Sequence, residues 1–141
     1  MNSWNTLSEP EFTLTLQYPS VTPDGHPVEV RRPQTGEQGR RVHLISPNSE
    51  ELYFEVGRYL ELIPQEAYAQ FTHDVAERIK DVAFSALEPY TIAGRPGFIF
   101  SIHWLHHQRI ILLIPAADAL YRIIYDPASP LNEEVLETVR F

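Results

Sequence analysis

Between Pro64 and Val82 the spacing of apolar residues changes from every second position to every third or fourth, and this switch restricts the chain more than any other feature. Tyr68, Phe71, Val75, Ile79 and Val82 line one side of a helix of about five turns, with Glu66, Gln70, Asp74, Glu77 and Asp81 on the other. Pro64 suits the first helical turn, where its missing N–H is no loss, and Glu66 adds negative charge at the positive end of the helix dipole. A helix with a single apolar stripe must lay that stripe on another layer.

The flanking segments read as that layer. Phe12 to Tyr18 alternates apolar and polar residues until Pro19 stops it, and Pro23-Asp24-Gly25 is a turn signal. Val28 to Arg32, Arg41 to Ile45 and Leu52 to Leu60 follow as strands. In the last of these Leu52, Phe54 and Val56 share one face, while Tyr53, Glu55 and Gly57 share the other, which predicts a half-buried strand. Beyond the helix come Ala83 to Ile92, Gly97 to Leu105, Arg109 to Pro115 and Leu120 to Tyr125. His106-His107-Gln108 is too short for a parallel crossover and predicts an antiparallel hairpin tip. A closing helix, Leu131 to Phe141, has Ser129 or Asn132 as its cap residue. The Gly97 segment is apolar on both sides, so both sheet faces need cover. The expected fold is α+β: a mainly antiparallel sheet of about six to seven strands with a helix on each face.

The 141 residues fit one domain, 1–141, with no repeat or long linker. There is no cysteine, which excludes disulfides and thiolate metal sites. A net charge of −8 repels the phosphate backbone and argues against nucleic-acid binding. The longest apolar run, Ile110 to Ile114, is far short of a membrane span, and the amino terminus lacks a signal-peptide pattern, so a cytoplasmic location is the expectation.

The order of elements is similar to the PsbP/Mog-like superfamily, which includes DcrB-like bacterial proteins. The residues carrying the resemblance are Gly94-Arg95-Pro96-Gly97-Phe98 opening a strand, Leu120-Tyr121-Arg122-Ile123-Ile124-Tyr125, and the final helix from Asn132 to Phe141. It covers most of the chain and implies an α/β/α sandwich with a non-catalytic role in protein interaction, assembly or chaperoning, a homodimer being compatible with it. Two departures weaken the transfer of function: no glycine-tryptophan motif follows the first strand, and the stretch from Arg31 to Arg41 is peculiar to this chain.

Candidate sites are few. Arg31, Arg32, Arg40 and Arg41 bracket a short loop. If they end two strands of one hairpin, their guanidinium groups would form a patch for an acidic partner protein. Trp4, in a polar amino-terminal arm, has no periodic reason to be buried and is a second partner-binding candidate. His103, His106 and His107 lie within five positions and suggest a metal or small-molecule site at a hairpin tip, although strand alternation points His106 away from His103. Nothing resembles a nucleophile elbow or a phosphate-binding glycine loop, and Ser101 lies inside an apolar strand. Glu88, Asp118 and Asp126 are the carboxylates available for acid/base pairing. The sequence therefore predicts a non-enzymatic protein-binding module with no cofactor, and a histidine-bearing ligand site as the alternative.

Overall fold

The computed structural model describes residues 3–33, 39–60, 62–117 and 119–141. An eight-stranded sheet forms the middle layer. Its strands are β3 (Glu29–Arg31), β4 (Gly39–Ile45), β5 (Tyr53–Tyr59), β6 (Ala83–Phe84), β7 (Glu88–Ile92), β8 (Arg95–Trp104), β9 (His107–Pro115) and β10 (Leu120–Tyr125). They run in the order β3-β4-β5-β10-β9-β8-β6, with β7 also pairing β8, and every pair is antiparallel. A separate hairpin, β1 (Trp4–Ser8) with β2 (Thr15–Pro19), packs on one face together with α2 (Pro130–Glu137). The opposite face carries α1 (Pro64–Arg78). The α+β sandwich expected from the sequence is therefore present.

The two faces bury different sets of residues. Leu7, Leu14 and Leu16 of the amino-terminal hairpin meet Phe54, Val56, Tyr121 and Ile123 of the sheet and Leu131, Val135 and Val139 of the carboxy-terminal segment. On the other side Ala67 and Val75 of α1 pack over Phe100, Ile102, Ile111, Leu113, Leu120 and Ile124. The Phe100 ring receives the edges of Tyr68 and Phe71 at centroid distances of 4.8 and 5.5 Å. Each such large apolar side chain stabilises by about 1.5 to 3 kcal/mol when fully buried.

Several boundaries differ from the sequence expectation. The sheet has more strands than six or seven, because Ala83 to Ile92 divides into β6 and β7. Between them Ser85 donates its N–H to Ser101 O at 3.0 Å, and its Oγ accepts from Ser101 N at 2.7 Å, so a side chain replaces one rung of the ladder. Helix α1 stops at Arg78, four residues before Val82: Ile79 is extended and Asp81 is left-handed at φ 59°. Val82 still packs against the same core. The polar amino-terminal arm, to which the sequence assigns no element, forms a strand whose Leu7 is buried. The strand expected from Phe12 to Tyr18 is β2 and begins at Thr15, three residues after Phe12, and Arg140 bridges to Thr15 in place of a last helical turn.

A candidate binding groove beside helix α1

The sheet face beneath α1 is not uniform. Its β8 and β9 portion is aromatic and aliphatic and lies under the helix, whereas the β4 and β5 portion presents Arg41, His43, Tyr53, Glu55, Gly57 and Tyr59. A 15-residue helix is one narrow rod, so it covers the apolar half and leaves the other half as one wall of a groove. That groove encloses about 620 Å³ and runs along the helix from Leu62 and Ala67 to Arg78 and Ile79.

Strand register assembles its polar centre. Gly57 of β5 is opposite Arg41 of β4 on one side and Arg122 of β10 on the other. Glu55, two positions along the same face, has its Oε1 3.6 Å from Arg41 Nη1 and 3.6 Å from Arg122 Nη2. These separations are close enough for strong attraction and too long for hydrogen bonds. Glu55 is only 8% exposed, and among the described residues its Oε1 and Arg122 Nε have no hydrogen-bond partner. Gly57 is needed here for space: a Cβ would lie 2.6 Å from Tyr59 Cε2, so the Tyr59 ring rests where a side chain would stand. The Arg122 guanidinium carbon lies 4.9 Å from the Tyr59 ring centre and 5.2 Å from that of Phe71.

At the other end Arg109 sits 4.3 Å from the Tyr53 ring centre and 5.4 Å from that of Trp104, with Nη1 3.3 Å from Asp126 Oδ2. Burial is the main cause of each resolved shift in this region: it pushes the Tyr53 and Tyr59 hydroxyls above the usual phenol range and His43 below the usual imidazole range. Neutral His43 stands edge-on to Tyr53 at 4.8 Å. Four arginines, Arg41, Arg78, Arg109 and Arg122, line the groove against two carboxylates, Glu55 and Asp74. In a chain of net charge −8 this is a local reversal of sign.

The arginine patch expected from the sequence does not form. Alternation sends Arg40 toward the hairpin face and Arg41 toward the α1 face, and each cation has its own carboxylate. Arg31 pairs with Glu29 at 2.8 Å, Arg32 with Glu9 at 2.5 Å, Arg40 with Glu11 at 2.6 Å and Arg41 with Glu55. Arg32 and Arg40 thus hold the loop of the amino-terminal hairpin, and only Arg41 belongs to the groove. The loop tip, residues 34–38, lies outside the described residues. Trp4 is 36% exposed on β1, opposite Pro19 and away from the groove.

The three histidines do not converge either. Trp104 pairs with His107, so the turn is Leu105-His106, shorter than expected, and His103 lies on the opposite sheet face from His107. The His107 ring lies tilted against Trp104 at a centroid distance of 5.2 Å, and His106 and His107 border a cleft of about 220 Å³ with Asp126, whose carboxylate is already paired with Arg109. Among the described residues the three side chains able to bring ligand atoms within 4.8 Å of one another are instead His73, Asp74 and Glu77, all exposed on α1. Ser101 Oγ meets His103 Nε2 at 3.3 Å, but among the described residues no carboxylate orients that imidazole. Asp118 lies outside the described residues. The sequence reading missed Arg122, Arg109 and the role of Glu55. The available signal was a single charge within an otherwise apolar strand, as in Leu120-Tyr121-Arg122-Ile123-Ile124.

A solved structure shares this arrangement of layers. The solution structure of cyanobacterial PsbP (CyanoP) from Synechocystis sp. PCC 6803 superposes with a TM-score of 0.68 over 99% of this chain and 93% of that one. The chain has the PsbP-like fold. Sequence identity to CyanoP is 8%, so the similarity lies in the architecture. No family model and no curated protein sequence matches the chain. Among the described residues no helix is long and apolar enough to cross a membrane.

Proposed function

We propose that this protein is a non-catalytic protein-interaction module that receives an extended, partly apolar segment of a partner protein in the groove beside α1. The observation that carries the reading is the half-covered sheet face, a groove of about 620 Å³ with apolar residues interspersed with Gln70, Asp74 and Arg78 on the helix side and three arginines on the strand side. Fifteen helical residues make a channel about 22 Å long, which accommodates about six or seven residues of extended chain. The PsbP-like fold supports a binding role by analogy of architecture alone.

Site-specific photocrosslinking in the native host tests this. A benzophenone side chain at Gln70, on the groove, should give a discrete crosslinked protein that the same probe at Tyr90, on the far edge strand, does not. Equal or absent crosslinking at both positions would remove the groove as the receiving surface.

A further inference from the structure

We infer that the anchor point of this groove is a carboxylate site formed by Arg122 and Arg41 on either side of Gly57, so that the ligand is an acidic group carried on an apolar body. The inference rests on the groove being the receiving surface and names the chemistry it selects. Three features carry it. First, Arg122 is positioned but not consumed: two aromatic rings hold its guanidinium, its Nε has no hydrogen-bond partner among the described residues, and its contact with Glu55 is 3.6 Å. A guanidinium offers donors in a planar fork that matches a carboxylate, so an unmade hydrogen bond at the buried Nε of this half-buried arginine is capacity for one. Second, Glu55 faces two arginines, Arg41 and Arg122, at equal distances, leaving this pocket centre with more positive than negative charge. Glu55 lessens the cost of holding the two arginines together while the groove is empty, and at 3.6 Å neither contact uses up a guanidinium hydrogen bond. Third, the wall facing this centre offers apolar surface opposite the charged strands, Phe71 and Val75 of α1 and Ile79 just beyond its end, among the polar Gln70, Asp74 and Arg78. A purely polar anion would leave that wall unmatched, and a purely apolar ligand would leave Arg122 unsatisfied. Arg109 does not compete as the anchor, because Asp126 already holds it.

The test compares acid and neutral versions of two probes by calorimetry and by amide chemical-shift mapping on the whole chain. One probe is an acetylated, amidated hexapeptide of alanine and leucine with a single central glutamate, against the same peptide with glutamine. The other is decanoate against decanamide. A bidentate arginine contact predicts that the acid form binds about tenfold more tightly than its neutral partner, with shifts at Gly57, Glu55 and Arg122. Arg122→Gln should abolish that preference, bringing the ratio of acid to neutral affinity to about one. Arg41→Gln, at a more exposed position, should reduce it and serves if the first variant does not fold. Glu55→Gln removes the internal competitor and should tighten acid binding by about three- to tenfold, a gain that damage to the fold would not produce. Discrimination by both probe pairs supports the inference together with the protein-segment reading. Discrimination by decanoate alone, with neither peptide bound, supports the carboxylate anchor and overturns the protein segment as its source. Equal affinity of acid and neutral forms, or no gain with Glu55→Gln, overturns the anchor even if photocrosslinking at Gln70 captures a partner.

Discussion

Replacing Asn132 by leucine isolates the interaction that ties the second helix to the strand lining the groove. Asn132 is 0% exposed; its Oδ1 accepts from Tyr53 N–H at 3.0 Å and its Nδ2 donates to Asp126 C=O at 2.9 Å. Leucine has the same branching and number of heavy atoms, so Asn132→Leu removes both hydrogen bonds, deprives two backbone groups of these partners and adds the extra bulk of two methyl groups, which acts in the same direction. Each buried backbone group left unsatisfied costs about 1 to 3 kcal/mol, and partial relaxation brings the pair to about 2 to 4 kcal/mol. For a chain of this size 1 kcal/mol corresponds to about 3 °C, so the melting temperature should fall by roughly 6 to 12 °C. Ser129→Ala is the internal control. Ser129 occupies the N-cap position of α2 but makes no side-chain cap hydrogen bond, so its removal should cost less than about 0.5 kcal/mol, well below a working cap. Thermal unfolding followed by circular dichroism gives both values, and hydrogen exchange at the Tyr53 amide should accelerate in Asn132→Leu. The reasoning fails if Asn132→Leu melts within about 2 °C of the parent, or if Ser129→Ala costs as much.

Three further outcomes follow from the same structure. Burial lowers the His43 pKa in the folded state, so its contribution to stability is present above the unfolded imidazole value of about 6.5 and is lost on acidification through the lower folded value; His43→Gln should flatten the loss of melting temperature between about pH 7 and pH 5, and an unchanged slope would assign that loss to other groups. Tyr125 is pushed up to about 12 chiefly by burial, against about 10 in an unfolded chain, so its contribution is complete below pH 10 and fades as pH rises toward 12; Tyr125→Phe should lose less stability than the parent across that window, and parallel curves would refute this. Leu105 is 91% exposed with φ 51°, a left-handed conformation that asparagine accepts more readily; Leu105→Asn should raise stability by about 0.5 to 1 kcal/mol in urea denaturation, and a loss would mean that this leucine makes a contact the isolated chain does not show.

Much of the architecture could be read from local pattern. The apolar stripe from Tyr68 to Ile79 is the face that α1 lays on Phe100 and Ile102, and the apolar run in Leu120 to Tyr125 is a central strand buried on both faces. The strand of Leu52 to Leu60 was legible in position but not in burial. Its second face, Tyr53, Glu55 and Gly57, reads as solvent-exposed, yet Glu55 is only 8% exposed, with Arg41 and Arg122 of the two neighbouring strands on either side of it. The amino-terminal strand was missed because Trp4-Asn5-Thr6-Leu7-Ser8 contains one buried residue, and the burial of Leu7 depends on its partner Leu16. Asn132 was read as a capping candidate because asparagine near a helix start usually caps. Here the distant Tyr53 amide takes its carbonyl oxygen, a partner 79 residues away that no local pattern can announce.

The division between what each level decided has a simple cause. Periodicity, turn residues and proline positions act over a few residues, and they determined that this chain makes one amphipathic helix, a run of antiparallel strands and a short closing helix. The composition of the groove is set by strand order. Inserting β10 between β5 and β9 puts Arg122 beside Gly57 and brings Arg41, Glu55 and Arg109 onto one face. Those residues come from segments up to 81 positions apart, and each alone is an ordinary charge on a strand. Only when the sheet closes in this order, with a helix too narrow to cover it, do they become a half-buried, incompletely satisfied arginine site.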